Sequence, residues 1–305
     1  MVEYPDFPPS KVTLPIIDAH VHLDDVKYIL RMYNQAKLFN IQQFIGISTW
    51  YKATTDYSIN ENLYPETYHY AFYVPSNITS QPGRYQKELF RYLENFKPRE
   101  KLKVVKFWYG SSFFHDGFRI DSPAHQEVYQ QISASNLVLM IHIADPDRWY
   151  RSNSVKKQQL QQFVNIVANN PELNVIGVHM AGNSERLSEL AEWLDTYPNL
   201  FLDTSATKWI TRELSRKPED AREFFIRYSN RLLYGSDLVN SSQDDFYYHS
   251  RYWTHRILFE TSLTRELPFN DPDSSVQPAS INGLDLPVNV LEKFYHTNAK
   301  KILGF

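Results

Sequence analysis

Short apolar runs rich in β-branched and aromatic residues recur along most of the chain: Pro15–Leu23, Ile41–Thr49, Tyr68–Asn77, Leu102–Tyr109, Leu137–Ala144, Leu173–Met180, Leu200–Ser205 and Arg231–Leu238. Segments of helical period lie between them, with one apolar stripe each: Tyr85, Leu89, Tyr92 and Phe96, then Leu160, Phe163, Val164 and Val167, then Leu187, Leu190, Ala191 and Leu194. Asn183 or Ser184 is positioned to cap the third of these helices, and Pro198-Asn199 closes it. Eight strand candidates alternating with helices predict an α/β fold of the (β/α)8 TIM-barrel type, because runs of strands followed by runs of helices are absent. At about 150 residues per domain a chain of 305 residues suggests two domains, but barrels of this length are single units. The expectation is one domain, 1–305, with a helical extension from about 244 to 305.

Two segments depart from the alternation. A Tyr- and Asn-rich stretch, Trp50–Thr67, follows the second strand, and a tail follows the eighth. The tail reads as a helix from Asp244 to about Phe259, a Pro/Asp/Ser-rich loop from Pro268 to Gln277, and a final helical stretch, Val288–Leu303. The aromatics between Asp244 and His255 suit a helix packed on the barrel; a pocket wall or an interface in a homo-oligomer would use Tyr and Trp in the same way.

Charge narrows the partners. With 32 Lys and Arg against 35 Asp and Glu, the net charge of −3 offers no footprint for nucleic acid or an anionic membrane. No apolar run approaches the roughly 18–20 residues needed to span a bilayer, and the N-terminal residues lack the apolar stretch of a secretory signal, so the expectation is a cytoplasmic protein acting on a small molecule. The absence of cysteine excludes disulfides and thiolate ligands. Ten His and the carboxylates remain as possible metal ligands.

In a barrel of this kind the chemistry gathers where strands end and βα loops begin. Strand one ends Asp18-Ala-His20-Val-His22, strand five Met140-Ile-His142-Ile-Ala-Asp145, strand six Gly177-Val-His179-Met-Ala-Gly182 and strand eight Tyr234-Gly-Ser-Asp237. His20 and His22, two apart on a strand, present both imidazoles to one face and can chelate one cation. A lone His-x-His is weak evidence, and a single strand-borne His is more often a hydrogen-bonded core residue. Four His and one Asp at the same end of four strands point to a metal site.

These motifs, with Leu233-Tyr-Gly-Ser-Asp237 and the closing Thr297-Asn298-Ala299-Lys-Lys-Ile-Leu-Gly304, resemble the amidohydrolase superfamily, in particular the amidohydrolase-2 branch that includes aminocarboxymuconate-semialdehyde decarboxylase-like enzymes. The resemblance spans almost the whole chain. It implies that His20, His22, His142 and Asp237 ligate one divalent metal, Zn foremost and Mn as an alternative, with an open position for water. Asp237 would also shuttle the water's proton, and His179 would be the acid/base or transition-state-stabilising group. Asp18 either supports a ligand or turns the strand end.

Lys106, inside the apolar run Val104-Val-Lys106-Phe-Trp108, is costly to bury without a partner or a task. In binuclear members of the superfamily the strand-four Lys is carboxylated and bridges two metals; in others it stays cationic and faces an anionic substrate or a barrel carboxylate. The mononuclear reading is preferred here, which makes Lys106 substrate-binding. Tyr109, Arg148, Trp149 and Lys208, each placed just after a strand, are further substrate-binding candidates. The implied activity is metal-dependent hydrolysis of a C–N or C–O bond in a small substrate, with non-oxidative decarboxylation at the same site as the alternative. A barrel that only binds would be expected to have lost some of the five polar positions.

Overall fold

The computed structural model describes residues 10–23, 26–47, 67–74, 82–95, 101–110, 119–240 and 243–304. Residues 50–66 of the Tyr- and Asn-rich stretch, His115 and Phe96 lie outside the described residues. Nine parallel segments form one sheet: β1 (Ile16–His22), β2 (Ile41–Ile47), β3 (Tyr68–Val74), β4 (Leu102–Trp108), β5 (Val138–His142), β6 (Val175–Gly177), β7 (Leu200–Asp203), β8 (Leu232–Leu233) and β9 (Leu238–Val239). Their order is β8-β7-β6-β5-β4-β3-β2-β1-β9. β8 and β9 are two parts of one stretch of chain. The first pairs with β7 and the second with β1, and Ala19 N donates to Tyr234 O (2.9 Å) between them, so the sheet closes on itself as a TIM barrel.

Alternation along each strand divides the core in two. Ile17, Ile45, Ala71, Val104, Met140, Ile176 and Leu233 fill the barrel interior. Val21, Phe44, Tyr70, Phe107, Ile141 and Leu202 face the helices outside. The interior needs a floor, and the C-terminal helix (Asn298–Leu303) supplies it. Ala299 and Leu303 pack into the interior cluster, while Asn298 Nδ2 donates to the carbonyls of Ser229 (2.7 Å) and Leu232 (2.8 Å) at the start of β8.

The tail folds largely as the pattern predicts. Its first helix runs Asp245–Glu260, capped by the Asp244 carboxylate accepting from Tyr247 N (3.0 Å). It packs on the first barrel helix (Ile29–Leu38) and its end, where the Phe39 and Tyr252 rings lie 5.7 Å apart. The final stretch is interrupted by a π turn at Lys293–Thr297.

Three local expectations change. The Pro/Asp/Ser-rich loop is framed by an antiparallel ribbon of β10 (Thr264–Glu266) and β11 (Ser280–Asn282), too short to carry a clear alternation signal. The helix after β6 begins only at Leu187 with Arg186 at its N-cap and no side-chain cap; Asn183 instead donates to Glu189 (2.9 Å). Finally, the sixth strand ends at Gly177 rather than Met180, with consequences for His179.

Candidate metal centre and active site

The mouth of the barrel begins with an irregularity in β1. Ile17 and Ala19 both belong to the interior cluster, so strict alternation would send His20 outward. Between Asp18 and Val21 the register with β2 shifts, as in a bulge, and the parity changes. His20 and His22 therefore line the pocket while Val21 packs outside. Asp18, fully buried, ties the bulge down: its Oδ1 accepts from the amides of His20 (3.2 Å) and Ser236 (3.0 Å). Burial raises its carboxyl to about 7, against the opposing pull of these hydrogen bonds. Its bonds to the His20 amide and to the amide and side chain of Ser236 hold the β1 end against the loop that carries Asp237.

Asp237 follows β8 with a positive φ of 59°, a conformation that Asp tolerates better than most residues, and its amide donates to His20 O (2.8 Å). Its Oδ1 lies 3.1 Å from His22 Nε2 and 3.3 Å from His20 Nε2. The three residues each offer a ligand atom within 4.8 Å of the others. His20 Nδ1 bonds Asp203 Oδ2 (2.9 Å), which leaves Nε2 buried beside Asp237 without a hydrogen-bond partner among the described residues. Burial would raise the Asp237 carboxyl, but the surrounding rings of His179, His20 and His22 hold it well below its ordinary range. His142 lines the same pocket but directs Nε2 to Asp145 Oδ1 (2.8 Å), so three of the four expected ligands come together here.

His179 sits beyond the strand in a turn of opposite hand. His179, Met180, Ala181 and Gly182 have successive φ values of 56°, 52°, 55° and 61°. The left-handed conformation costs a non-glycine residue roughly 1–2 kcal/mol, so its surroundings must hold it. Asp203 Oδ1 accepts from His179 N (2.8 Å), and Gly182 passes so close to the β5 end that a Cβ there would sit 2.0 Å from Ala144 O. Gly182→Ala should therefore cost about 3 kcal/mol or more of stability, read as a lower denaturant midpoint at constant slope; a cost near zero would mean that the Ala144 backbone yields. The turn brings the His179 ring 4.6 Å from that of His142 and 5.5 Å from that of His20. Burial holds its imidazole down to about 3.

Lys106 points inward from β4, is 2% exposed, and its Nζ has no hydrogen-bond partner among the described residues. Burial lowers the ammonium to about 8, while the charges of Asp203 and Asp237 oppose the shift. Tyr73, Trp108 and Trp209 complete the described lining of a cavity of about 370 Å3.

A family model described as amidohydrolase, of the amidohydrolase-2 branch, matches residues 110–305. The chain belongs to the amidohydrolase family. A comparison with curated proteins finds no match. Among solved structures, this amidohydrolase is similar to an uncharacterised TIM-barrel protein from Bordetella bronchiseptica (12% identity, 95% of this chain and 99% of that one, TM-score 0.62). It is also similar to 4-oxalomesaconate hydratase from Rhodopseudomonas palustris (12%, 95% and 95%, TM-score 0.57). A third is 5-carboxyvanillate decarboxylase from Novosphingobium aromaticivorans complexed with manganese and 4-hydroxy-3-methoxy-5-nitrobenzoic acid (13%, 90% and 80%, TM-score 0.54). At these identities the likeness is one of fold.

Four expected substrate-binding residues of the amidohydrolase are not among the described pocket lining. Tyr109 has the wrong parity: Lys106 and Trp108 face in, so Phe107 and Tyr109 face the outer core. Arg148 and Trp149 turn to the tail loop, where Arg148 Nε lies 3.3 Å from Asp273 Oδ1 and Trp149 Nε1 donates to Asp273 Oδ2 (3.2 Å). Lys208 is half-buried on the first turn of the helix Thr207–Leu214, and its neighbour Trp209 reaches the site instead. The Trp209 ring lies 5.2 Å from that of His179 and 5.3 Å from that of Trp149. Asp203 is the residue whose importance is least visible in the sequence, since its partners come from β1, β6 and its own loop.

Proposed function

We propose that this amidohydrolase acts on a small planar carboxylate at the mouth of its barrel, with a divalent metal held by His20, His22 and Asp237, and that the reaction is non-oxidative decarboxylation. The donor set fits a Zn or Mn ion: two imidazoles and a carboxylate converge, and the ring nitrogen His20 turns toward Asp237 is buried and bare. Bound there, such an ion would polarise a substrate oxygen or activate a water.

The observation that carries the substrate class is Lys106. A buried ammonium without a hydrogen-bond partner among the described residues, walled by Tyr73, Trp108 and Trp209, suits an anion with a flat apolar body. This cation among aromatic walls favours loss of a desolvated carboxylate over hydrolysis, which calls for donors to a leaving group. Hydrolysis of a C–N or C–O bond is the second reading, supported by Asp237, whose depressed carboxyl beside His20 and His22 can accept a proton from water. CO2 release from a panel of aromatic and conjugated acids, run beside a panel of lactones and amides with the metal-loaded protein, tests the choice. Turnover confined to the lactones and amides would reverse it.

Lys106 supplies a separate prediction. As an unmodified cation it should contribute about 1.5–3 kcal/mol to binding a carboxylate, so Lys106→Met should weaken a benzoate-type ligand roughly 10- to 150-fold in calorimetric titration. The same change removes a buried charge that has no hydrogen-bond partner among the described residues and should raise the melting temperature. Electron density for a carboxylated Lys106 between two ions would overturn this reading.

A further inference from the structure

The Asp203 carboxylate is fully buried and gathers four donors: His20 Nδ1 (2.9 Å), the amides of His179 (2.8 Å) and Ser205 (3.1 Å), and the Ser205 hydroxyl. Ser205 Oγ has a second neighbour, His179 Nδ1, at 2.7 Å. A hydroxyl carries one proton, and an ionised carboxylate only accepts. If the Ser205 proton lies toward Asp203, then Oγ must accept, and the proton between Oγ and the ring belongs to His179 Nδ1. The reverse arrangement would leave an oxygen lone pair of Ser205 against a carboxylate oxygen in hydrogen-bond contact, which is repulsive unless Asp203 is protonated. The three other donors around this carboxylate, His20 Nδ1 and the amides of His179 and Ser205, disfavour that.

We propose that Asp203 and Ser205 form a positioning pair that fixes His179 as its Nδ1–H tautomer, so that Nε2 is the bare ring nitrogen offered to the pocket. The same carboxylate accepts from His20 Nδ1, which turns His20 Nε2 toward Asp237 Oδ1 at 3.3 Å. Nε2 of His20 faces the metal centre, whereas Nε2 of His179 begins the reaction as acceptor of a proton from a water in the pocket and, once protonated, returns it from the same atom to the substrate carbon that loses CO2, the hydroxide left behind combining with the CO2 as bicarbonate, while Nδ1–H stays on Ser205. The acceptor role rests on the proposed function, but the tautomer does not, and it is read without turnover.

The measurement is a long-range 1H–15N spectrum of the full-length, 15N-His-labelled protein, metal-free and zinc-loaded, with the His179 signals assigned by their absence from His179→Asn. The expected wild-type result is a protonated-type Nδ1 and an unprotonated-type Nε2. Ser205→Ala should move the tautomer ratio toward Nε2–H by about tenfold, the weight of one hydrogen bond, with the fold intact by circular dichroism. A wild-type Nε2–H signal overturns the proposal without any variant, and so does an unchanged Nδ1–H signal in folded Ser205→Ala. Lack of activity on carboxylic acids, with the wild-type tautomer as expected, would count against the proposed reaction and leave the positioning pair standing.

Discussion

Replacing His20 and His22 together by Ala should abolish stoichiometric metal binding and leave the barrel folded. The wild type is expected to take up about one divalent ion per chain, because only one group of three convergent donors, His20, His22 and Asp237, occurs among the described residues. The folded state should survive since the interior beneath the site is built by other side chains, Ile17, Ala19, Ile45 and Met140 among them. Metal analysis after purification without chelator and titration with Zn and Mn give the stoichiometry. Thermal unfolding gives an independent readout: an ion that binds only the native state at 100 times its Kd adds about 2.7 kcal/mol, so excess metal should raise the melting temperature of the wild type and not of the double variant. A metal-free wild type with no affinity for either ion would sink the site. His142→Ala, measured alongside, tests the fourth expected ligand. Because His142 Nε2 is engaged by Asp145, its loss should weaken binding less than His22→Ala does; an equal loss would assign His142 to the ion.

What the sequence reveals of this site follows from what a strand encodes locally. The alternation of eight apolar runs with helical stripes announces the barrel, and the polar strand ends announce its mouth. Facing, however, depends on parity. Read by alternation alone, Ile17 and Ala19 inside would place His20 outside, and only the register shift between Asp18 and Val21 restores the histidines to the pocket. Tyr109 fails by the same rule in the opposite sense, one residue past an inward Trp108. Arg148 and Trp149 sit on a 3-10 turn and Lys208 on the first turn of a helix, beyond the strands, where strand parity no longer says which neighbour turns inward, and Trp209 rather than Lys208 does so. The tail loop adds a non-local term, since Asp273 draws Arg148 and Trp149 to itself across 125 and 124 residues of chain. Asp203 stands in no motif of its own; its bonds to His20 and to the His179 amide join segments far apart in sequence, and no local pattern specifies them.

The largest catalytic effect short of losing the ion is expected at His179. If the three-donor set holds the metal and His179 serves the chemistry, His179→Ala should keep near-full occupancy and lose activity by roughly 10²- to 10⁴-fold, the range for a removed acid/base group. Backbone geometry recommends a companion variant. Position 179 has a φ of 56°, and Asn enters that region more readily than Ala, so His179→Asn should preserve the left-handed turn while removing the imidazole. Agreement between the two variants would assign the loss to the ring, whereas a large loss in Ala with recovery in Asn would assign it to the turn. Loss of metal in both would make His179 a ligand, which its contact with Ser205 through Nδ1 leaves sterically open through Nε2. Unchanged turnover in both would reduce the residue to a structural part of the barrel mouth. Occupancy and turnover measured on the same preparation separate these outcomes, because an imidazole that only moves protons can be removed without displacing the ion and a ligand cannot.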